Sequence, residues 1–279
     1  MGFIRAVEIF PPLFPRLAKG KHTRLEQSIE GFIYQARSVR GYADIILVAD
    51  IKNPKLLEIM PMDAVAMLRE KARLDAAPVL VVGGMQRRRF LSTVLTGLSL
   101  GLGNIMFAWG DDHNVRAASH AGPEFASLAQ AIRRAALLRE RAEASTEFLA
   151  PVNVERLAFP GEVARAKGRL RAGATHLLAQ PPTADVETLG RHAQLLRDAG
   201  LEGRVLLNVF PFRGSRDVRE CEAYFGWRLP KSLHAIAEKG ASALFEAESD
   251  VVKALRRRGF PGVYLNTRGV PAVAERFLS

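Results

Sequence analysis

The residues of this sequence that could do chemistry fall at the ends of short apolar runs. Glu8 closes the run Phe3–Phe10 and is followed by Pro11-Pro12. A carboxylate on so stiff a turn can hand over or take a proton near neutrality if burial among Phe3, Phe10 and their neighbours lifts its pKa. The same place would also suit a rim salt bridge, and position alone leaves both readings open. Trp109-Gly110-Asp111-Asp112-His113 ends another run. Two adjacent aspartates usually point different ways, and no His-x-x-x-His or second cluster completes a metal site, so no metal is expected. The better reading is that one carboxylate, Asp111, accepts hydrogen bonds from a ligand's amino groups. Gln180, before Pro181-Pro182, offers a donor and an acceptor suited to an amide-like heterocycle edge, or else caps backbone. Tyr264 and Arg268 flank the last run, where phosphate or carboxylate groups are commonly held, although Arg268 could instead pair with Glu275. Asp50, Asn153, Arg213 and Asn266 complete the set of polar run ends.

Other nucleophiles lack partners. Ser215 and Ser232 have no nucleophile-elbow motif around them. Cys221 lies in a charged segment with nothing to activate it and reads as a packing residue. His176 sits inside a run and reads as packed, while His22, His192 and His234 fall on loops or helices.

Eight runs have to position these ends: Phe3–Phe10, Ala43–Asp50, Pro78–Gly84, Asn104–Gly110, Glu147–Val154, Thr175–Gln180, Arg204–Phe212 and Gly262–Thr267. Between them the apolar spacing becomes helical, as in the stripe Leu25, Ile29, Phe32, Ile33 and Ala36, opened by a capping box of Thr23 and Glu26. A second stripe, Val186, Leu189, Ala193 and Leu196, ends at Gly200, a suitable C′ glycine. Strand then helix, eight times in 279 residues, predicts an α/β fold with a single (β/α)8 TIM barrel as one domain over residues 1–279. In such a barrel the carboxyl ends of the strands build the site. No Gly-x-Gly-x-x-Gly follows the first run, which argues against a dinucleotide-binding half.

The chain is 48% apolar and 25% charged, with a net charge of +11 and one cysteine. The arginines of Arg87–Arg89, of Arg133, Arg134, Arg139 and Arg141, and of Arg256–Arg258 are dispersed over predicted helices. No aromatic-rich strand or recognition motif lies beside them, so solvated helix faces are expected and nucleic acid is not. No window approaches a membrane span or a secretory signal, and Ala6 stands where a myristoylation signal wants Ser or Thr. A cytoplasmic protein is the expectation.

Taken together, the run ends resemble the methylenetetrahydrofolate reductase family. Val7-Glu8-Ile9-Phe10-Pro11-Pro12 is similar to its opening Glu-Phe-Phe-Pro-Pro strand, and Phe107-Ala108-Trp109-Gly110-Asp111 to its Ala-Leu-Arg-Gly-Asp strand. Arg169-Leu-Arg-Ala172-Gly173-Ala174 through Gln180-Pro181 resembles its Lys-x-x-Ala-Gly-Ala to Thr-Gln segment. Arg228-Leu229-Pro230 falls at its Ile-Pro helix start, and Tyr264-Leu-Asn266-Thr-Arg268 resembles its closing Tyr-Thr-Leu-Asn-Arg. The series covers nearly the whole chain. The resemblance implies an oxidoreductase of one-carbon metabolism in which NADH or NADPH reduces FAD and FAD reduces 5,10-methylenetetrahydrofolate. It makes Glu8 the acid that protonates the folate amine and puts Asp111 between flavin and pterin. Asp50, Trp109, Gly110 and Arg169 would lie at the flavin, and Gln180, Tyr264 and Arg268 would bind substrate. A folate or pterin partner and a homo-oligomer are expected.

The departures gather on the flavin side. The family's Tyr-Pro-Glu-Gly-His stretch is replaced by Pro151-Val-Asn-Val-Glu-Arg-Leu-Ala-Phe-Pro160, and Trp109 stands for an arginine. Asp50 follows Val48-Ala49 where a threonine is usual, and Val79 to Gly84 lacks a histidine. A flavin-free pterin-binding barrel acting in one-carbon or methyl transfer is therefore the alternative.

Overall fold

A computed structural model describes residues 2–15, 23–50, 56–110 and 124–279. The eight runs become parallel strands of a closed barrel. In chain order these are β1 (Ile4–Ile9), β3 (Ile45–Val48), β5 (Ala77–Val81), β6 (Asn104–Ala108), β7 (Glu147–Asn153), β8 (Ala174–Gln180), β9 (Val205–Val209) and β10 (Gly262–Asn266). The numbers β2 (Leu13–Pro15) and β4 (Leu56–Glu58) belong to a small antiparallel pair outside the barrel, which periodicity did not predict because each strand is only three residues long. Helices α1 (Thr23–Val39), α2 (Pro61–Ala72), α3 (Arg87–Ser99), α4 (Leu128–Arg141), α5 (Pro160–Arg171) and α6 (Val186–Ala199) follow successive strands. The segment after β9 carries α7 (Ser215–Phe225), α8 (Lys231–Glu238) and α9 (Ala241–Arg257), and α10 (Ala272–Leu278) follows β10. The expected (β/α)8 barrel is the fold. No helix among the described residues is long and apolar enough to cross a membrane.

Strand alternation separates two cores. Ala6, Leu47, Ala77, Val79, Met106, Leu149, Leu178, Leu206 and Tyr264 pack together inside the barrel. Their sequence neighbours Val7, Ile46, Leu80, Phe107, Phe148, Leu177, Leu207 and Leu265 face outward into the shell of helices. There Phe107 meets Phe90 of α3 at 5.5 Å and Phe148 at 5.1 Å between ring centroids. Each such buried ring contributes about 2–3 kcal/mol. Because the strands are covered on both faces, they read as continuous apolar runs.

Helix ends follow local chemistry. Asp185 caps α6 by accepting from the backbone N–H of Thr188 at 2.7 Å, and Gly200 ends it in the left-handed region at φ 62°. Phe32 and Ala36 of the first stripe and Leu189, Ala193 and Leu196 of the second are buried, Ile29 and Ile33 partly so, and the first members are exposed. Leu25 is 44% and Val186 42% exposed, each in the first turn of its helix, where fewer neighbours cover the chain.

The seam that closes the barrel also positions the site. β1 and β10 pair over five positions, from Ile4 opposite Gly262 to Glu8 opposite Asn266. At the base of that seam a Cβ on Gly262 would collide with the Ile4 carbonyl oxygen and lie 2.8 Å from its carbon. Only glycine lets the first and last strands meet there.

Candidate functional site

Glu8, two residues beyond Ala6, faces the barrel mouth, half-buried. Tyr264 Oη donates to Glu8 Oε2, and Asn266 Nδ2 donates to Oε1 at 3.0 Å. Thr267 ties down the Glu8 carbonyl, through its Oγ1 at 2.8 Å and its N–H at 3.1 Å. Burial pushes the Glu8 carboxyl from its ordinary 4.5 up to about 7, against the opposing pull of the two donors. Near neutrality the group is therefore divided between acid and base, as a proton-transfer residue needs to be. Tyr264 is 3% exposed, and burial together with the neighbouring Glu8 charge raises its phenol well above the usual range. It stays a donor. The rim salt bridge that position alone had left open is not what Glu8 makes, since both of its described partners are neutral.

Asn266 is held in one orientation. Its Oδ1 accepts from the backbone N–H of Arg268 at 2.9 Å, which turns Nδ2 toward Glu8. Arg268 bonds Asp217 of α7, reaches the Pro211 carbonyl at 3.5 Å and lies over the Phe210 ring at 5.0 Å. Its partner is thus Asp217 and not Glu275. Burial alone would raise the Asp217 carboxyl, but Arg268 and the Arg213 N–H hold it below the ordinary value. Behind this cluster Glu248 of α9, 2% exposed, accepts from the Phe212 N–H at 3.0 Å, and burial raises it to about 8.

The arc of strands from β7 round to β1 carries the polar groups of the mouth. Asn153 and Gln180 are register partners, but Asn153 Oδ1 accepts from the Arg156 N–H at 3.2 Å and serves the chain turn after β7. The Gln180 side chain makes no hydrogen bond among the described residues, so it caps no described backbone. Asn208 of β9 lies in register with Tyr264 and was not singled out from sequence. It hides inside the otherwise apolar strand Val205–Val209, and a lone amide within such a run is the signal that could have found it.

Among the described residues, Ala49, Val81 and Ala108 make the other side of the mouth apolar. Asp50 Oδ2 accepts from the Val81 N–H at 3.1 Å, tying the end of β3 to β5. Trp109 packs against the outer core and accepts at its carbonyl from the Gly83 N–H at 2.8 Å, while Gly110 turns the chain at φ 94°. Arg169 lies between α5 and β7, where Nη1 donates to the Pro151 carbonyl at 2.7 Å and to buried Glu162 at 3.3 Å. Asp111, Asp112 and His113 lie outside the described residues. Among the described residues no cluster of His, Cys, Asp and Glu could hold a metal ion. Of the residues expected at the flavin, Asp50 and Arg169 thus have backbone or ion-pair partners within the chain. Cys221 is buried, with burial raising its thiol, and His176 is 3% exposed within β8.

No protein-family profile matches this sequence, and no curated protein sequence does. Solved structures with the same fold do exist. An uncharacterized protein from Clostridium thermocellum that binds two copies of 5-methyl-5,6,7,8-tetrahydrofolic acid superposes with a TM-score of 0.63 at 12% identity, covering 99% of this chain and 96% of that one. EDTA monooxygenase from Chelativorans sp. BNC1 superposes with a TM-score of 0.57 at 12% identity, covering 99% and 92%. A 2,3-dimethylmalate lyase of the PEP mutase/isocitrate lyase superfamily gives 0.52 at 16% identity, covering 98% and 77%. At these identities the likeness is one of fold.

Proposed function

We propose that this chain is an enzyme that binds a reduced folate or a related pterin in the barrel mouth and acts on it in one-carbon or methyl transfer, without a bound flavin. The observation that carries the reading is the Glu8 carboxyl, raised to about 7 and gripped by two neutral donors. A carboxyl in that state can give its proton to a ring amine as a bond at that nitrogen breaks, and then be restored from solvent. For a methyl-bearing ring nitrogen, the proton arrives as the methyl group leaves for an external nucleophile such as a reduced corrinoid. Tyr264 and Asn266 stabilise the carboxylate that remains. Gln180 reads the amide-like edge of the pterin, and the apolar wall opposite accepts its ring face. The fold neighbour whose ligand is 5-methyltetrahydrofolate supports this choice of ligand class.

The reductase reading assigns Glu8, Gln180 and Tyr264 the same tasks but needs FAD beside them. Asp50 and Arg169, expected there, are engaged by partners within the chain, and we draw no step through a flavin. Spectroscopy of the purified chain separates the two readings. A colourless protein that binds 5-methyltetrahydrofolate in a calorimeter and never oxidises NADH or NADPH is the expected result. Flavin absorbance bleached by nicotinamide would reverse the choice, and absence of any folate binding would sink both.

A further inference from the structure

Asn208 is 1% exposed, and its Oδ1 is buried with no hydrogen-bond partner among the described residues. It lies two residues beyond Leu206, so strand alternation turns it to the barrel interior. On one side its register partner is Tyr264, the donor to Glu8. On the other, extending the pairing of Leu178 with Leu206 sets it opposite Gln180. The unpartnered oxygen is therefore flanked by two residues of the candidate site and lies at the base of the same mouth. An acceptor stranded in this way costs the folded chain stability, whereas an apolar side chain of similar size would not. The layer beneath it, with Leu178, Leu206 and Ala6, is apolar and offers that oxygen no donor.

We infer that Asn208 is a ligand-binding residue whose carboxamide oxygen accepts a hydrogen bond from an N–H of the heterocycle seated between Gln180 and Glu8. The inference rests on the reading of the mouth as a pterin site and adds a residue to it. Pterin rings suit the place, since their cyclic amide, exocyclic amine and, when reduced, ring amines all present N–H donors. Bound ligand would satisfy an acceptor that the free protein leaves empty-handed. Discrimination follows, because a site built around an unpaired acceptor rejects rings that lack the matching donor.

The test titrates 5-methyltetrahydrofolate into the full chain by calorimetry, for wild type, Asn208→Leu and Asn208→Ser, with thermal melts of each in the absence of ligand. Asn208→Leu should melt no lower than wild type and bind at least about tenfold more weakly. If it fails to fold, Asn208→Ser, too short to reach the ligand, should show the same loss. A folded variant with wild-type affinity overturns the inference and leaves the reading of the mouth standing. A melting temperature several degrees lower in Asn208→Leu would assign the amide to the fold and overturn it too. No binding by wild type overturns both.

Discussion

Replacing Glu8 by Gln keeps the shape of the side chain, removes its charge and probes the mouth without any ligand. In the folded chain the carboxyl titrates at about 7 in place of 4.5, because burial outweighs the hydrogen bonds from Tyr264 and Asn266. Between those pH values the folded state holds a proton that the unfolded state has released. A group raised in this way contributes its full stability below pH 4.5 and loses it as the pH climbs through 7. At about 1.4 kcal/mol per pH unit, the loss reaches about 3 kcal/mol by pH 8, an upper figure because Glu8 is half-buried and water relieves part of the strain. The assay is urea unfolding of wild type and Glu8→Gln at pH 5, 6, 7 and 8. Glu248, raised to about 8, also titrates in this range, but it is present in both proteins and cancels in their difference. The variant should therefore gain on wild type by about 1–3 kcal/mol between pH 5 and pH 8. A stability difference that stays constant across the series would refute the claim that Glu8 is a desolvated acid.

Tyr264→Phe removes a donor that favours ionised Glu8, so the Glu8 pKa should move further upward from about 7, as read by carbon NMR of its carboxyl; no movement would remove Tyr264 from the site. Glu248→Gln should match wild type near pH 4 and gain on it as the pH climbs from 4.5 through 8, because the unfolded wild type releases a proton that the folded chain holds; urea unfolding at pH 5 and pH 9 reads the widening difference. Arg268→Met leaves half-buried Asp217 without its cation and should cost about 2 kcal/mol, with the loss shrinking at low pH as Asp217 protonates. Gly262→Ala drives a methyl into the Ile4 backbone and should abolish soluble, folded protein, whereas Gly203→Ala, with nothing within 4 Å, should be silent in the same expression and melting test.

What the sequence by itself determined was the barrel. Strand runs covered on both faces, alternating with stripes of helical period, are local properties, and each of the eight runs became a barrel strand with its ends moved by a few residues. Glu8, Gln180, Tyr264 and Asn266 were legible because a polar residue ending an apolar run in a barrel must face the mouth. What only the tertiary structure decided is how those residues act on one another. Tyr264 and Glu8 lie 256 positions apart, and their hydrogen bond exists because the first strand closes against the last over Gly262. That closure buries Glu8 beside two neutral donors, and burial raises its pKa against their pull. Arg268 likewise meets Asp217 across 51 positions, a partner hidden from a reading along the chain, whereas Arg169 finds Glu162 seven residues away in its own helix. Asn208 was hidden for the opposite reason. It ends no run, and although it is the lone amide of its strand, the register with Tyr264 and the lack of a partner for its oxygen among the described residues are what place it at the mouth. Period and composition are written along the chain, whereas charge, burial and donor geometry at the mouth arise only where distant strands meet.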